Sequence, residues 1–302
     1  MASGGRLDRA QLAQRAGQYL EDPRFSVARA RFCEEVPRAW LRSRLQRRLI
    51  ADSGAMAVVI AITGLHRLDP AGGASLEVII SALEGSRLAS GNRVRAIVAM
   101  LKDHGAVDMA PHPTDRRRRR LVPTPLLGSV YQKWLGSVLG PLSELEDFSV
   151  EPHTIAREPG LAERYINAIM LRQAVDGFTI MEGWPEALAF MGRRHGYLVM
   201  LYLAAHSDCR VDINRSRIAE RCGVSQAHVA TLLADAERQG WLSRRPNASE
   251  VLLAPAFAQR LEEWVARELA IVALWLEAKR PDLLLPAADA PRLSQRQGSA
   301  RS

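Results

Sequence analysis

Ser90-Gly91-Asn92-Arg93-Val94-Arg95-Ala96-Ile97-Val98-Ala99-Met100-Leu101, followed by Lys102-Asp103-His104-Gly105-Ala106-Val107, is the stretch whose reading decides the fold. Ser90 suits the position before a helix, where a hydroxyl accepts a free backbone N–H. Val94, Val98 and Leu101, with Ile97 beside them, recur at helical spacing and form a buried stripe. Asn92, Arg93, Arg95 and Lys102 are left towards solvent. Gly105 ends the helix, and Val107–Met109 opens a strand. Pro111, Pro113 and Asp115 supply turn chemistry before Arg116–Arg120 and a returning strand at Arg119–Val122. The same punctuation returns 135 residues later. Ser225-Gln226-Ala227-His228-Val229 leads through Leu233 and Gly240 to Arg244-Arg245.

Each stretch reads as the second helix and the hairpin of a winged helix-turn-helix, a shape that sets one helix in a DNA major groove. The expected fold is mainly α with small β-wings: two tandem winged helix-turn-helix domains joined by a helical scaffold, a pseudo-dimer on one chain. A repeat of this period divides the 302 residues at about 1–150 and 151–285, with 286–302 as a flexible tail. The winged helices fall at about 54–124 and 196–255.

The second unit has the more regular spacing. Asn214 precedes a brief helix over Arg215–Cys222, and Ala219, Gly223 and Val229 provide the small residue, the turn glycine and the packing residue that a tight helix crossing needs. Leu232, Leu233 and Ala236 continue the buried stripe, so Gln226, Ala227, Ala230 and Thr231 face outward with His228 at the edge. In the first unit the turn reads Glu84-Gly85-Ser86-Arg87-Leu88, without glycine at the matching position, so a longer turn is expected.

Around these units the pattern is helical. Ala28–Leu49 reads as one Arg-rich amphipathic helix and Gly54–Leu68 as a buried one, broken by Asp69-Pro70-Ala71-Gly72-Gly73, after which Ser75 caps a helix to Leu83. Ala162–Phe178 and Tyr197–Ala205 repeat that order. Thr124-Pro125 and Pro255 open the long helices that follow each hairpin, Thr124 as a cap.

The formal net charge is +8 with pI near 10.0, and Lys102, Lys133 and Lys279 are the only lysines. Charge of this sign suits a polyanionic partner. Its location matters more: Ser90–Arg120 holds eight basic residues against three acidic, and Arg215–Glu250 six against four. Five consecutive arginines make little sense as core, and good sense facing phosphates or a narrow minor groove. Arg bonds guanine and Asn bonds adenine with two hydrogen bonds each. Gln226 and Thr231 offer a shorter, nearly neutral face. Double-stranded DNA is therefore the expected partner, read by Ser90, Asn92, Arg93, Arg95, Arg116, Arg117 and Arg118 in the first head. In the second, Ser225, Gln226, Thr231, Arg244 and Arg245 do so.

Cys33, Cys209 and Cys222 have no metal-ligand spacing and are odd in number, which fits a reducing compartment. The apolar run Gly54–Leu65 is too short to span a bilayer, and the N-terminus lacks a signal-peptide core. A cytoplasmic, nucleoid-associated protein without membrane contact is expected. The chain has no Gly-rich phosphate loop, metal cluster or nucleophile elbow, and its seven histidines are scattered, so neither enzyme activity nor a cofactor is expected.

The run Ser90…Val94…Leu101…Gly105-Ala106-Val107…Asp115-Arg116-Arg117…Leu121-Val122-Pro123-Thr124 resembles the winged helix of the MarR regulators. The likeness covers about residues 50–140, and more loosely 196–275, where Ser243–Ser249 lacks the Asp-Arg-Arg element and Ala254 replaces Thr124. It implies two protomers of a homodimer fused in tandem. It further implies that Asp115 braces the wing, and that Arg116 and Arg117 enter the minor groove. A small aromatic effector between scaffold and heads is also implied, with Trp40, Trp134, Trp184 and Trp264 as candidate lining. The competing readings are a plasmid-type replication initiator with two winged-helix domains, which binds direct repeats, and a winged-helix protein-interaction scaffold without DNA.

Overall fold

The computed structural model describes residues 9–51, 53–69, 74–85, 89–112, 117–176, 183–207, 214–244 and 251–284. Among them are fourteen α-helices and two antiparallel two-stranded sheets, and the protein is mainly helical. The order is α1 (Arg9–Glu21), α2 (Phe25–Leu41), α3 (Arg44–Ile50), α4 (Ser53–Leu68), α5 (Leu76–Gly85) and α6 (Gly91–Asp103). The hairpin β1 (Val107–Pro111) and β2 (Arg119–Pro123) follows, then α7 (Pro125–Leu142), α8 (Pro152–Ala156) and α9 (Leu161–Asp176). The second half contains α10 (Pro185–Met191), α11 (Gly196–Ala204), α12 (Arg215–Cys222), α13 (Gln226–Arg238), β3 (Leu242–Arg244), β4 (Val251–Leu253) and α14 (Pro255–Lys279).

The single helix expected over Ala28–Leu49 is two helices. Ser43 is extended at φ −125°, and its side chain accepts the Gln46 N–H at 3.1 Å. The Arg47 guanidinium meanwhile donates to the Leu41 carbonyl, 2.9 Å away. A new N-cap and a satisfied C-terminal carbonyl together compete successfully with continuation. The bend lets Trp40 and Leu45 both be buried. Residues 185–191 form a further helix, α10, with Pro185 in its first turn.

The repeat is present at the level of individual backbone hydrogen bonds. Ser90 Oγ accepts from Arg93 N, and Ser225 Oγ accepts from His228 N. After α6, Gly105 at φ +66° lets its N–H reach Lys102 O while Ala106 N–H reaches Leu101 O. After α13, Gly240 at φ +74° does the same with Glu237 O, and Trp241 N–H with Ala236 O. A positive φ is cheap only for glycine, which is why the same residue closes both helices. Thr124 N–H then donates to Ala106 O, as Ala254 N–H does to Trp241 O. Thr124 stands before α7 as expected but does not cap it: its hydroxyl donates to Gly105 O at 2.7 Å, tying the long helix back to the glycine turn.

The hairpins differ. β1 and β2 pair from Val107↔Pro123 to Pro111↔Arg119, and β3 and β4 only from Leu242↔Leu253 to Arg244↔Val251. The first is also anchored laterally, with Leu121 N–H donating to Ala74 O and Ser75 bridging Arg120. The equivalent connector, 208–213, lies outside the described residues, as does the tail 286–302.

The two halves interleave. α1 packs along α14, α2 along α7, and α2 also meets α11, α12 and α14. Arg15 of α1 joins Glu146, beyond α7, to Glu277 of α14, at 2.5 Å each. Arg29 is buried in α2, with Nη1 2.6 Å from Glu262 Oε1 of α14. One continuous apolar cluster runs through both halves. No single described helix is long and apolar enough to cross a membrane.

Candidate nucleic-acid interface

α6 buries Val94, Ile97, Val98 and Leu101 and leaves Asn92, Arg93, Arg95, Ala96 and Lys102 exposed, the division its periodicity called for. Ser90 is exposed and occupied as the cap. On the hairpin that follows, Arg117, Arg118 and Arg119 are exposed. Arg120 is not part of the exposed run: it is half-buried where β2 meets Ser75. Arg116 and Asp115 lie outside the described residues. The first head thus carries guanidinium groups on both the helix and the hairpin, a distribution suited to phosphate and base edges together.

α13 buries Val229, Leu232, Leu233 and Ala236 and exposes Gln226, Ala227 and Thr231. Its polar groups are partly engaged within the chain. Gln226 Nε2 donates to Ser216 Oγ of α12 at 3.2 Å, Thr231 Oγ1 donates to Ala227 O at 3.1 Å, and Ser225 caps the helix. Arg244 ends β3; its side chain and Arg245 lie outside the described residues. Gly223 turns α12 into α13 at φ +65°, with Asn214 Oδ1 capping α12 at 2.8 Å.

A relation that the sequence did not show joins the two heads. The segment Gly192–His195 between α10 and α11 lies between equivalent faces of α6 and α13. Arg93, Ala96, Ile97 and Met100 of α6 line a cleft with Arg193 and Arg194. From α13, His228 Nε2 lies 2.6 Å from Arg194 O, and Asp235 pairs with Arg193 at 2.7 Å. Arg93 and His228 are 135 positions apart, as are Met100 and Asp235. The junctions into α4 and α11 also touch, His195 N–H donating to Ala51 O at 3.0 Å. The Arg193-Arg194 pair after Gly192 was the available sequence signal for this segment.

The four tryptophans proposed as ligand lining do not meet in one place. Trp40 and Trp264 are about 2% exposed. Trp184 packs edge-on to Trp264 beneath the Arg260 guanidinium, and Trp134 stacks on Tyr165. None lines the cleft beside α6.

Comparison with protein families, curated proteins and solved structures gives no match to this chain.

Proposed function

We propose that the chain is a sequence-specific duplex DNA-binding transcription regulator, built of two winged helix-turn-helix units with unequal heads. The observation that carries this reading is the first head's outward row, Asn92, Arg93 and Arg95 on α6, beside exposed Arg117, Arg118 and Arg119 on its hairpin. A helix of this kind fills a major groove while the hairpin lies along backbone or minor groove. The second head contributes a smaller contact, because its short side chains are partly committed to the chain itself. Equivalent faces of α6 and α13 turned towards one segment favour an inverted repeat as the target, as a dimeric regulator would read.

The test is duplex binding by the full chain across a salt series, with footprinting of the protected site. The double variant Arg117→Gln/Arg118→Gln is expected to lower the slope of log affinity against log salt by about two. Arg95→Ala is expected to relax base preference at one position rather than weaken all sites evenly. A chain that forms no salt-dependent duplex complex is not this regulator, and protection of direct repeats would favour a replication initiator.

A further inference from the structure

A cleft lies between α6 and the segment Gly192–Arg194. It measures about 470 Å³, within the size range of small-molecule pockets. Its described lining includes four arginines, Arg48, Arg93, Arg193 and Arg194, and no carboxylate; all four arginines are exposed. Beside the charge, Ile97, Met100 and Met191 supply apolar lining. Guanidinium forks fit the oxygens of phosphate groups, and methionine adapts to varied apolar bodies.

The segment that carries two of these arginines is held in shape. His195 adopts φ +55°, a left-handed conformation that costs a residue with a side chain and is kept only where its surroundings enforce it. The enforcing contacts are the His195 N–H bond to Ala51 O and the bond from Arg193 N–H to Phe190 O at 3.0 Å. Gly196 allows the chain to return so closely that a Cβ there would sit 1.7 Å from the Phe190 carbonyl oxygen. Arg193 and Arg194 are therefore presented by a rigid loop, which lowers the ordering cost of binding.

From this we infer that the cleft binds a small organic dianion of the phosphate-ester class, its phosphate held by Arg48 and Arg194 and its body against Met100 and Met191. Such a ligand competes with Asp235 for Arg193 and pulls on the segment to which His228 is bonded. It thereby alters the placement of α13 relative to α6. This regulatory consequence rests on the DNA-binding reading above; the binding site itself does not.

The experiment is titration calorimetry of the full chain with inorganic pyrophosphate, uridine 5′-monophosphate and benzoate. Saturable phosphate binding that weakens about tenfold or more in Arg48→Gln/Arg194→Gln, with the exposed Arg38→Gln on α2 unchanged, is the expected result. Absent saturable binding, equal affinity in the double variant, or benzoate binding as tightly as the phosphates overturns the inference. A double variant that weakens duplex binding while no phosphate ligand binds also overturns it, assigning the cleft to the DNA backbone instead. Phosphate binding with the expected variant pattern, in a chain that binds no duplex, leaves the site standing and removes only its regulatory consequence. Thermal unfolding of each variant checks that the fold is intact.

Discussion

His228 Nε2 of α13 donates to the carbonyl oxygen of Arg194, 2.6 Å away, fixing both the ring's orientation and the nitrogen that carries the proton. Together with Asp235 on Arg193 it makes two anchors, seven residues apart on one helix face, between α13 and the segment entering α11. His228→Ala is expected to cost about 1 kcal/mol, the net worth of one hydrogen bond. The expected local signature is faster amide exchange in α13 than in α6. Uniform acceleration across both helices would show that His228 acts through the global fold and not as an anchor.

Gly105 and Gly240 should respond alike. Both have positive φ and open space where a Cβ would stand, so only backbone strain opposes a side chain. Alanine at either site is expected to lower stability by about 1–2 kcal/mol. Urea unfolding of the two single variants checks this, and a negligible loss at one site only would show that the two turns are not equivalent. Thr124→Ala removes a bond that has no counterpart at Ala254, and about 1 kcal/mol of loss is expected there.

Glu268 of α14 gives the protein a pH dependence of unusual sign. Burial pushes its carboxyl up to about 7, with Arg267 opposing. The native state therefore holds more protons than the unfolded chain between the ordinary carboxylate range and neutrality, and stability falls as pH rises through that window. His195 acts the other way: burial, with Arg194 and His228 nearby, lowers it to about 4, so the native state loses stability as pH falls from the usual histidine range. Glu268→Gln removes the first effect alone. Its advantage over the parent should grow from about pH 5 to about pH 7 and then level off, at roughly 1–3 kcal/mol because part of the side chain's surface remains accessible. A difference that is the same at every pH would contradict the assignment.

Arg29 is the buried charge that ties the two halves, and its partner Glu262 also accepts from Ser207 at 2.9 Å. Arg29→Ala leaves that carboxylate without its cation and opens space in the core between α2 and α14. A loss of about 3 kcal/mol is expected, against a smaller loss for Arg29→Met, which refills the volume. Denaturant unfolding monitored by tryptophan fluorescence measures both. Equal losses would mean that pairing, not packing, is the source.

Several elements were legible in the chain because their causes are local. Asn214, Ser90 and Ser225 cap the helices they precede, and Pro255 opens α14 where the pattern placed it. The buried stripes of α6 and α13 follow the apolar spacing residue for residue. The break at Ser43 leaves no mark in the apolar period, which runs through it undisturbed; the cap and the Arg47 contact, not hydrophobicity, decide it. Arg120 looked equivalent to its neighbours, yet lateral pairing with Ser75 draws it inward, a contact from 45 positions away in sequence.

Taken by itself, the order of residues determined where α6 and α13 start and stop and that the turn closing one recurs after the other. Caps, αL glycines and helical stripes act over four or five residues, within the reach of a single chain read end to end. Only the tertiary structure decided that α1 belongs with α14, and that Arg48, Arg93, Arg193 and Arg194 surround one cleft. Those relations depend on how apolar faces choose partners over a hundred or more residues. Burial of apolar surface is non-directional, so a stripe states that a face must be covered without naming what covers it.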